Sequence, residues 1–243
     1  MLVLPIAEAL GQAHNDGVIH RDVKPENIMI RPDGSPVLMD FGIAQMVDMP
    51  TLTATGTMLG SPAHMAPEVI DGKDIGAGAD VFSIGTTLYL LVCGSLPFTG
   101  PNPSALFRKI LETRYDPVLH RKPRAGRAMA RLIEDCLLRD PLLRPTAREV
   151  ARRLKAITDA MGLVDRKREL ALFSADPEVY QDELGRRIIA PLQTLAAEAY
   201  EQRRIAIALD HIDRILTLDP ENSDARKLLH TIEKGQRFGE RLK

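Results

Sequence analysis

Along most of the chain, apolar residues recur every three or four positions, and short apolar runs broken by turn residues are confined to a stretch near the start. Residues 6–14 show the helical spacing and lead into Asp16-Gly17, which predicts a helix that ends at a left-handed glycine. Residues 18–20 predict a short buried strand. Residues 27–42 carry a Pro-Asp-Gly turn at 32–34 between two apolar runs, which predicts two short strands joined by a tight turn.

Beyond this hairpin, the pattern predicts one irregular loop followed by helices. Residues 43–66 show no steady period and contain several threonines, which is typical of a long loop. From Asp80 to Gly94 the pattern is helical and very apolar, and a helix that is hydrophobic all round is expected at the buried centre of a helical domain. Further helices are predicted at 104–113, at 126–138 and from 145 onward. Thr146 and Glu149 have the spacing of a capping box at the start of the last of these.

The pattern changes after Gly162, where charged residues become frequent. We interpret residues 1–160 as the main domain, residues 161–186 as a linker and residues 187–243 as a helical tail. One face of the tail carries the apolar residues Ile205, Ala208, Ile212, Ile215 and Leu216. This part resembles a single tetratricopeptide-type helix pair, but such units normally need about three copies to be stable. We therefore favour the alternative, a plain helical hairpin packed on the main domain.

The composition narrows the function classes. The chain has 243 residues, of which 44% are hydrophobic and 27% charged, with a net charge of -1, as in a soluble globular protein. This near-neutral balance predicts neither a nucleic-acid partner nor a membrane partner. The longest apolar run, 84–93, is too short to cross a bilayer. Cys93 and Cys136 lie in apolar helical patterns, so we expect free cysteines and interpret the chain as cytoplasmic.

The densest cluster of polar and charged residues lies at 20–27, directly before the two strands predicted within 27–42. Asp40 follows these two strands. We therefore expect Asp22, Asn27 and Asp40 at one edge, where carboxylate and amide oxygens suit Mg²⁺. Lys24 adds a mobile positive charge beside them. Magnesium and a lysine around one spare carboxylate favour phosphoryl transfer, with Asp22 accepting the proton of an attacking hydroxyl.

Three motifs in this region resemble those of protein kinases. They are HRDVKPEN at 20–27, DFG at 40–42 and APE at 66–68, which resemble the catalytic loop, the metal-binding motif and the end of the activation segment. The similarity covers roughly residues 1–157. It implies a mainly α fold, the larger kinase lobe with a small β-hairpin at the catalytic loop, followed by an α-helical tail. Lysine at position 24 is typical of serine/threonine kinases, and the compact helices resemble bacterial members.

The resemblance implies a catalytic role for four residues. Asp22 would be the catalytic base, and Lys24 would contact the transferring phosphate. Asn27 and Asp40 would hold Mg²⁺. The implied cofactors are Mg²⁺ and ATP, and the implied substrates are proteins that carry serine or threonine.

The resemblance also implies regulatory and structural roles. Arg21 would bind a phosphate on one of three threonines, Thr53, Thr55 or Thr57. The structural residues would be His20 packed against Phe41, Ser61 with its hydroxyl near the catalytic loop, Asp80 bracing that loop, and Glu68 paired with Arg144. Simpler interpretations stay open for two of these features. The ion pair could be an ordinary surface pair, and the threonine segment could be a loop without phosphate.

Two substitutions depart from the family pattern, namely His64 where tyrosine is usual and Ser61 where threonine is usual. Met1 aligns within the helix that precedes the catalytic loop. From this we expect only the larger lobe, a chain inactive by itself, and an exposed surface facing the small lobe that is open to a partner or to self-association. The alternatives are a non-catalytic kinase-like scaffold or protein-binding module and, more distantly, a small-molecule phosphotransferase.

Overall fold

A computed structural model describes residues 1–31, 33–40 and 62–240, with side chains up to residue 235. Helices dominate it, which confirms the mainly α prediction. The helices are α1 (Val3–Asn15), α2 (Pro67–Ile70), α3 (Ala77–Cys93), α4 (Pro103–Leu111), α5 (Val118–Arg121), α6 (Arg127–Cys136), α7 (Ala147–Ala160), α8 (Arg166–Ala175), α9 (Pro177–Glu201), α10 (Ile205–Leu218) and α11 (Ser223–Glu240). The strands are β1 (Ile28–Ile30) and β2 (Pro36–Leu38).

The chain forms two compact units. The first comprises Met1–Lys122 and Met129–Lys155, and the second comprises Pro123–Ala128 and Ala156–Lys243. Within the described residues, none of the helices combines the length and the apolar character that a membrane span requires.

Helix α3 is the centre of the first unit, because every residue from Ala79 to Tyr89 is buried. Phe82 on this helix stacks on Phe98, with ring centroids 5.8 Å apart. The helix ends at Gly94, whose φ of 74° lies in the left-handed region that glycine adopts at little cost. The uninterrupted apolar pattern therefore predicted both the depth of this helix and its end.

Strands β1 and β2 form an antiparallel hairpin with Ile28 opposite Leu38. The amide of Met39 donates to the carbonyl of Asn27 at 2.8 Å and extends the ladder by one residue. The strand predicted at 18–20 is wrong, since these residues are not in a strand and Val18 is exposed. The physical reason is that the amides of His20 and Arg21 donate to the side chain of Asp80 instead of to a neighbouring strand.

The second unit has a core of its own. Its buried residues come from α9, α10 and α11 and include Leu192, Ala196, Ala199, Ala208, Ile212, Ile215, Ala225 and Ile232. Helices α9 and α10 pack along each other.

The segment 161–186, predicted as a linker, contains helix α8 and the first part of α9. Each helix has an aspartate cap: the side chain of Asp165 accepts from the amide of Arg168, and that of Asp176 accepts from the amides of Glu178 and Val179. The prediction of a linker rested on the frequent charged residues of this segment. One of them, Glu169, is buried.

Candidate active site

The backbone of the charged loop is fixed by one buried carboxylate. Asp80, on α3, is fully buried, and its side chain accepts from the amide of His20 at 2.8 Å and from the amide of Arg21 at 2.7 Å. Arg21 has a φ of 69°, a left-handed conformation that is strained for a side chain of this size. These hydrogen bonds to a charged group hold the loop in that conformation.

His14 completes the environment of Asp80. Its Nε2 lies 2.8 Å from Asp80 Oδ2, so the buried carboxylate has three donors around it. Sequence reasoning assigned no role to His14 and missed this contact. Its place in the last turn of α1, six residues before His20, was the only signal available.

His20 connects the loop to the hairpin. Its Nδ1 accepts from the amide of Asp22 at 3.2 Å, so the ring hydrogen is on Nε2, which donates to the carbonyl of Met39 at 2.9 Å. A buried neutral imidazole thus joins the loop to the end of β2. The predicted partner of this ring, Phe41, lies outside the described residues.

Asp22, Lys24 and Asn27 form one hydrogen-bonded group. Lys24 Nζ lies 2.7 Å from Asp22 Oδ2, and Asn27 Nδ2 donates to the same oxygen at 2.9 Å and to the Asp22 carbonyl at 2.7 Å. Among the described residues, nothing donates to the other carboxylate oxygen, Oδ1. The Asp22 side chain is 38% exposed. This oxygen is therefore free to accept a proton from a ligand.

Asp40 follows Met39, whose backbone is bonded to both Asn27 and His20, so the hairpin brings Asp40 to the same end as the catalytic loop. Its φ of 56° is left-handed, and its side chain is exposed.

The donor set at this end fits magnesium. Both hydrogens of the Asn27 amide are directed to Asp22, which leaves the amide oxygen for another partner. Mg²⁺ is usually held by one or two carboxylates together with phosphate and water oxygens. In the described part of the chain no three His, Cys, Asp or Glu side chains cluster as a complete metal cage. Asn27 and Asp40 therefore fit a Mg²⁺ ion whose other ligands would be phosphate and water oxygens.

Glu68 and Arg144 form a buried ion pair, and the interpretation as an ordinary surface pair is wrong. Arg144 Nη1 lies 2.6 Å from Glu68 Oε1, and Nη2 lies 2.8 Å from Oε2. The remaining donors of Arg144 bond to the carbonyls of Leu138, Gly78 and Arg139. All five N–H groups of the guanidinium are thereby satisfied. The pair ties the end of the activation segment to the loop before α7.

His64 forms part of the wall beside Asp22. It is buried, and its Nδ1 lies 2.7 Å from Thr86 Oγ1, which itself donates to the Ser83 carbonyl at 2.8 Å. Nδ1 is therefore the donor. Burial lowers the pKa of His64 below its usual 6.5, Glu26 opposes this, and Lys24 lowers it further.

A small cavity of about 40 Å³ lies between His64, Arg21 and Asp22. The four remaining candidates, Thr53, Thr55, Thr57 and Ser61, lie outside the described residues.

Comparisons with known proteins agree with this geometry. Residues 1–154 match the family described as Protein kinase domain. The serine/threonine-protein kinase PkaA of Streptomyces coelicolor is 38% identical over 166 residues, which cover 67% of this chain and 30% of that protein. The serine/threonine-protein kinase pkn3 of Myxococcus xanthus is 37% identical over 158 residues, covering 61% of this chain and 29% of that protein.

Among solved structures, the crystal structure of Rad53 1-466 in complex with AMP-PNP is similar, with a TM-score of 0.51 and 29% identity. The similarity covers 63% of this chain and 38% of that chain. This chain spans about a third of the length of the curated relatives it matches.

Proposed function

This chain belongs to the protein kinase family, and from that premise we propose that its catalytic loop transfers the γ-phosphoryl group of ATP to a serine or threonine hydroxyl of a protein. The observation that carries the proposal is the state of Asp22, which has one oxygen bonded to Lys24 and Asn27 and the other free. A carboxylate in this state can take up the hydroxyl proton as the hydroxyl oxygen forms its bond to phosphorus. The bond between the γ-phosphorus and the bridging oxygen then breaks, and ADP leaves.

The residues around Asp22 have separate tasks in this reaction. Lys24, whose Nζ lies 2.7 Å from Asp22 Oδ2, would contact the transferring phosphoryl group, and its positive charge would offset the charge that develops there. Asn27 and Asp40 would hold Mg²⁺, which supplies charge neutralisation on the phosphates when it is bound. Asp80 and His20 keep the loop backbone in place. Arg21 is left as the candidate for binding a phosphothreonine from Thr53, Thr55 or Thr57.

The hairpin exposes apolar side chains on the surface where the rest of a nucleotide site would lie. Met29, Ile30 and Met39 are 57%, 47% and 39% exposed. In this family the small lobe covers that region, and it supplies a glycine-rich loop and a lysine that hold the triphosphate. The 243 residues contain no G-x-G-x-x-G motif. We therefore expect the 243-residue polypeptide to transfer phosphate slowly when assayed by itself, and we expect the hairpin surface to accept a small lobe or a second copy.

Two further parts of the proposal concern location and the tail. The two cysteines are free, which agrees with a reducing cytoplasm. For residues 187–243 we keep both interpretations, a helical hairpin or a single tetratricopeptide-like unit.

The test is phosphate transfer from Mg-ATP to a serine-containing peptide, measured for chain 1–243 alone and with a purified small lobe of a bacterial kinase added in trans. We expect a low rate alone, a higher rate with the added lobe, and loss of both rates in Asp22→Asn. Asp71→Asn, which removes a partly exposed carboxylate paired with Lys73, is the matched control and keeps the rates. Equal rates for wild type and Asp22→Asn, or no transfer under either condition, would favour the alternative of a non-catalytic binding module.

A further inference from the structure

A second cavity lies in the first unit, towards the opposite end of α3 from Asp80. Its volume is about 330 Å³, and Tyr89 on α3 is one of its lining residues. Asp80 and Tyr89 are nine positions apart on the helix. At a rise of 1.5 Å per residue, they are separated by about 14 Å along the helix axis. The cavity is thus a short distance from the catalytic loop without being part of it.

Positive charge dominates the lining of this cavity. Lys109 on α4, Arg114 just after α4 and Arg121 on α5 line it, whereas Asp116 is its only carboxylate among the described residues. Arg121 Nη2 donates to Ser95 Oγ at 3.0 Å, which holds that guanidinium at the rim. Three elements thus direct cationic groups toward one concave space.

These cations are only partly neutralised by their surroundings. Glu112 is shared, since it accepts from Arg108 Nε at 2.9 Å and lies 3.5 Å from Arg114 Nη1. Lys109 has no ion-pair partner within the part of the chain that the structure describes. Residues 108–122 carry five Lys or Arg and two Asp or Glu, whereas the whole chain has a net charge of -1. Of these charged residues, Lys109, Arg114, Arg121 and Asp116 line the cavity, so cations outnumber carboxylates three to one in its lining.

We propose that the basic pocket, defined by Lys109, Arg114 and Arg121, binds an anionic side chain of a protein segment, either a carboxylate or a phosphorylated residue. We assign that segment to the protein substrate, and this part of the proposal rests on the proposed function. An extended peptide advances about 3.3 Å per residue, so roughly four or five residues span 14 Å. A segment of this length matches the separation of Asp80 and Tyr89 along α3, so we place the anionic residue about five positions from the acceptor serine.

The shape of the pocket favours a protein segment over a long polyanion. A concave space with cations on three sides matches a single anionic group. Asp116 lies in the same lining, with its Oδ2 3.9 Å from Arg121 Nη1 and its side chain 73% exposed. It would repel the continuous row of phosphates of a nucleic acid or a lipid surface.

The direct test measures the binding of labelled peptides to chain 1–243 by fluorescence anisotropy. Three labelled peptides share one sequence with a central serine and differ only about five residues away, where they carry Asp-Glu, a phosphoserine or Gln-Asn. We expect the acidic and the phosphorylated peptides to bind about tenfold more tightly than the neutral one at roughly 50 mM salt. The difference should shrink at roughly 500 mM salt, where screening shortens the reach of the charges. The two charged peptides distinguish a carboxylate ligand from a phosphate ligand.

Point variants locate the binding. Lys109→Gln and Arg121→Gln should each weaken binding of the charged peptides by about threefold to tenfold. Arg108→Gln removes the same charge from a neighbouring position on α4 that does not line the pocket, and it should change the dissociation constant by less than about twofold. Asp116→Asn should strengthen binding, because it removes the opposing carboxylate. Circular dichroism of each variant checks that the fold is retained.

Three results would overturn the proposal. One is equal binding of the three peptides at low salt, and another is an equal loss for Lys109→Gln and Arg108→Gln. The third is Lys109-dependent binding of single-stranded DNA or of anionic vesicles without binding of the charged peptides. That result would mean that the pocket binds a nucleic acid or a lipid surface instead of a protein segment. Because the readout is binding, charged peptides that bind as expected while the phosphate-transfer assay fails would uphold the pocket and reject the proposed function.

Discussion

Arg144 shows how far a single residue can depend on tertiary structure. Its side chain is completely buried, its five donors are all used, and its guanidinium lies 4.9 Å from the centroid of the Phe82 ring. The motif predicted the partner, Glu68, from the family resemblance. It did not predict the burial or the three carbonyl acceptors, because these come from backbone turns that have no sequence signature of their own.

The Glu68–Arg144 pair allows a direct stability prediction. Arg144→Leu leaves the Glu68 carboxylate buried without a partner, and we expect the free energy of unfolding to fall by about 3–5 kcal/mol. Arg152→Leu is the matched control, because Arg152 makes equally short bonds to Glu149 but its side chain is 71% exposed. We expect that change to cost less than about 1 kcal/mol. Urea denaturation of both variants measures the difference, and similar losses would contradict the assignment of a desolvated pair.

His64 allows a prediction about pH. Its pKa in the folded chain lies below 6.5, so the unfolded chain binds a proton more readily than the folded chain does. As the pH falls from about 7.5 through 6.5 toward the folded pKa, the free energy of unfolding therefore decreases. His64→Asn keeps a donor for Thr86 but does not titrate in this range.

We expect wild type to lose more stability than His64→Asn between about pH 7.5 and about pH 5.5, as urea denaturation at the two pH values would show. Every other titrating group, including His211, is common to both proteins and cancels in the comparison. An identical pH dependence in the two would mean that His64 titrates as freely as a solvent-exposed histidine.

At the scale of the elements, apolar periodicity predicted the helices well, because residues spaced three or four positions apart lie on the buried face of a helix. It failed at 18–20 and at 161–186 for different reasons. In the first stretch, the backbone donors are used by Asp80, which is some 60 residues away in sequence. In the second, the charged residue Glu169 accepts hydrogen bonds from Tyr180 and Arg187 inside the unit. Neither arrangement can be deduced from local composition.

Helix α3 also shows why a glycine can be essential inside a helix. A Cβ atom at Gly85 would lie 2.8 Å from Cys136 Cβ and 3.0 Å from Leu137 Cδ2. Alanine normally stabilises a helix interior relative to glycine. Here we expect Gly85→Ala to lower stability by about 1–3 kcal/mol, because two packed side chains have to move.

The control for Gly85→Ala is Gly235→Ala in α11, where no atom lies within 4 Å of the added Cβ. That variant should be neutral or should gain up to about 1 kcal/mol. Thermal unfolding followed by circular dichroism compares the two, and a gain at Gly85 would show that the contact with Cys136 is looser than it appears.

At the scale of the whole molecule, the division into two units leads to a truncation experiment. We predict that chain 1–162 retains the fold of the first unit and unfolds in one cooperative transition. The amide of Arg127, which donates to Asp210 at 3.2 Å within the second unit, should then exchange with solvent faster. Hydrogen exchange and near-ultraviolet circular dichroism measure both effects. Aggregation of chain 1–162 would show that residues beyond 162 are needed for the first unit to fold.

The anchoring of the catalytic loop by Asp80, and of Glu68 by Arg144, has a consequence during protein synthesis. His20 leaves the ribosome 60 residues before Asp80, and the loop must wait for that carboxylate before its backbone can settle. Glu68 waits in the same way for Arg144, which follows it by 76 residues. At about 5–20 residues per second, the nascent chain carries an unanchored catalytic loop for several seconds. A protein labelled by a short isotope pulse should therefore acquire its catalytic-loop geometry only after Asp80, in the first turn of α3, has emerged from the ribosome.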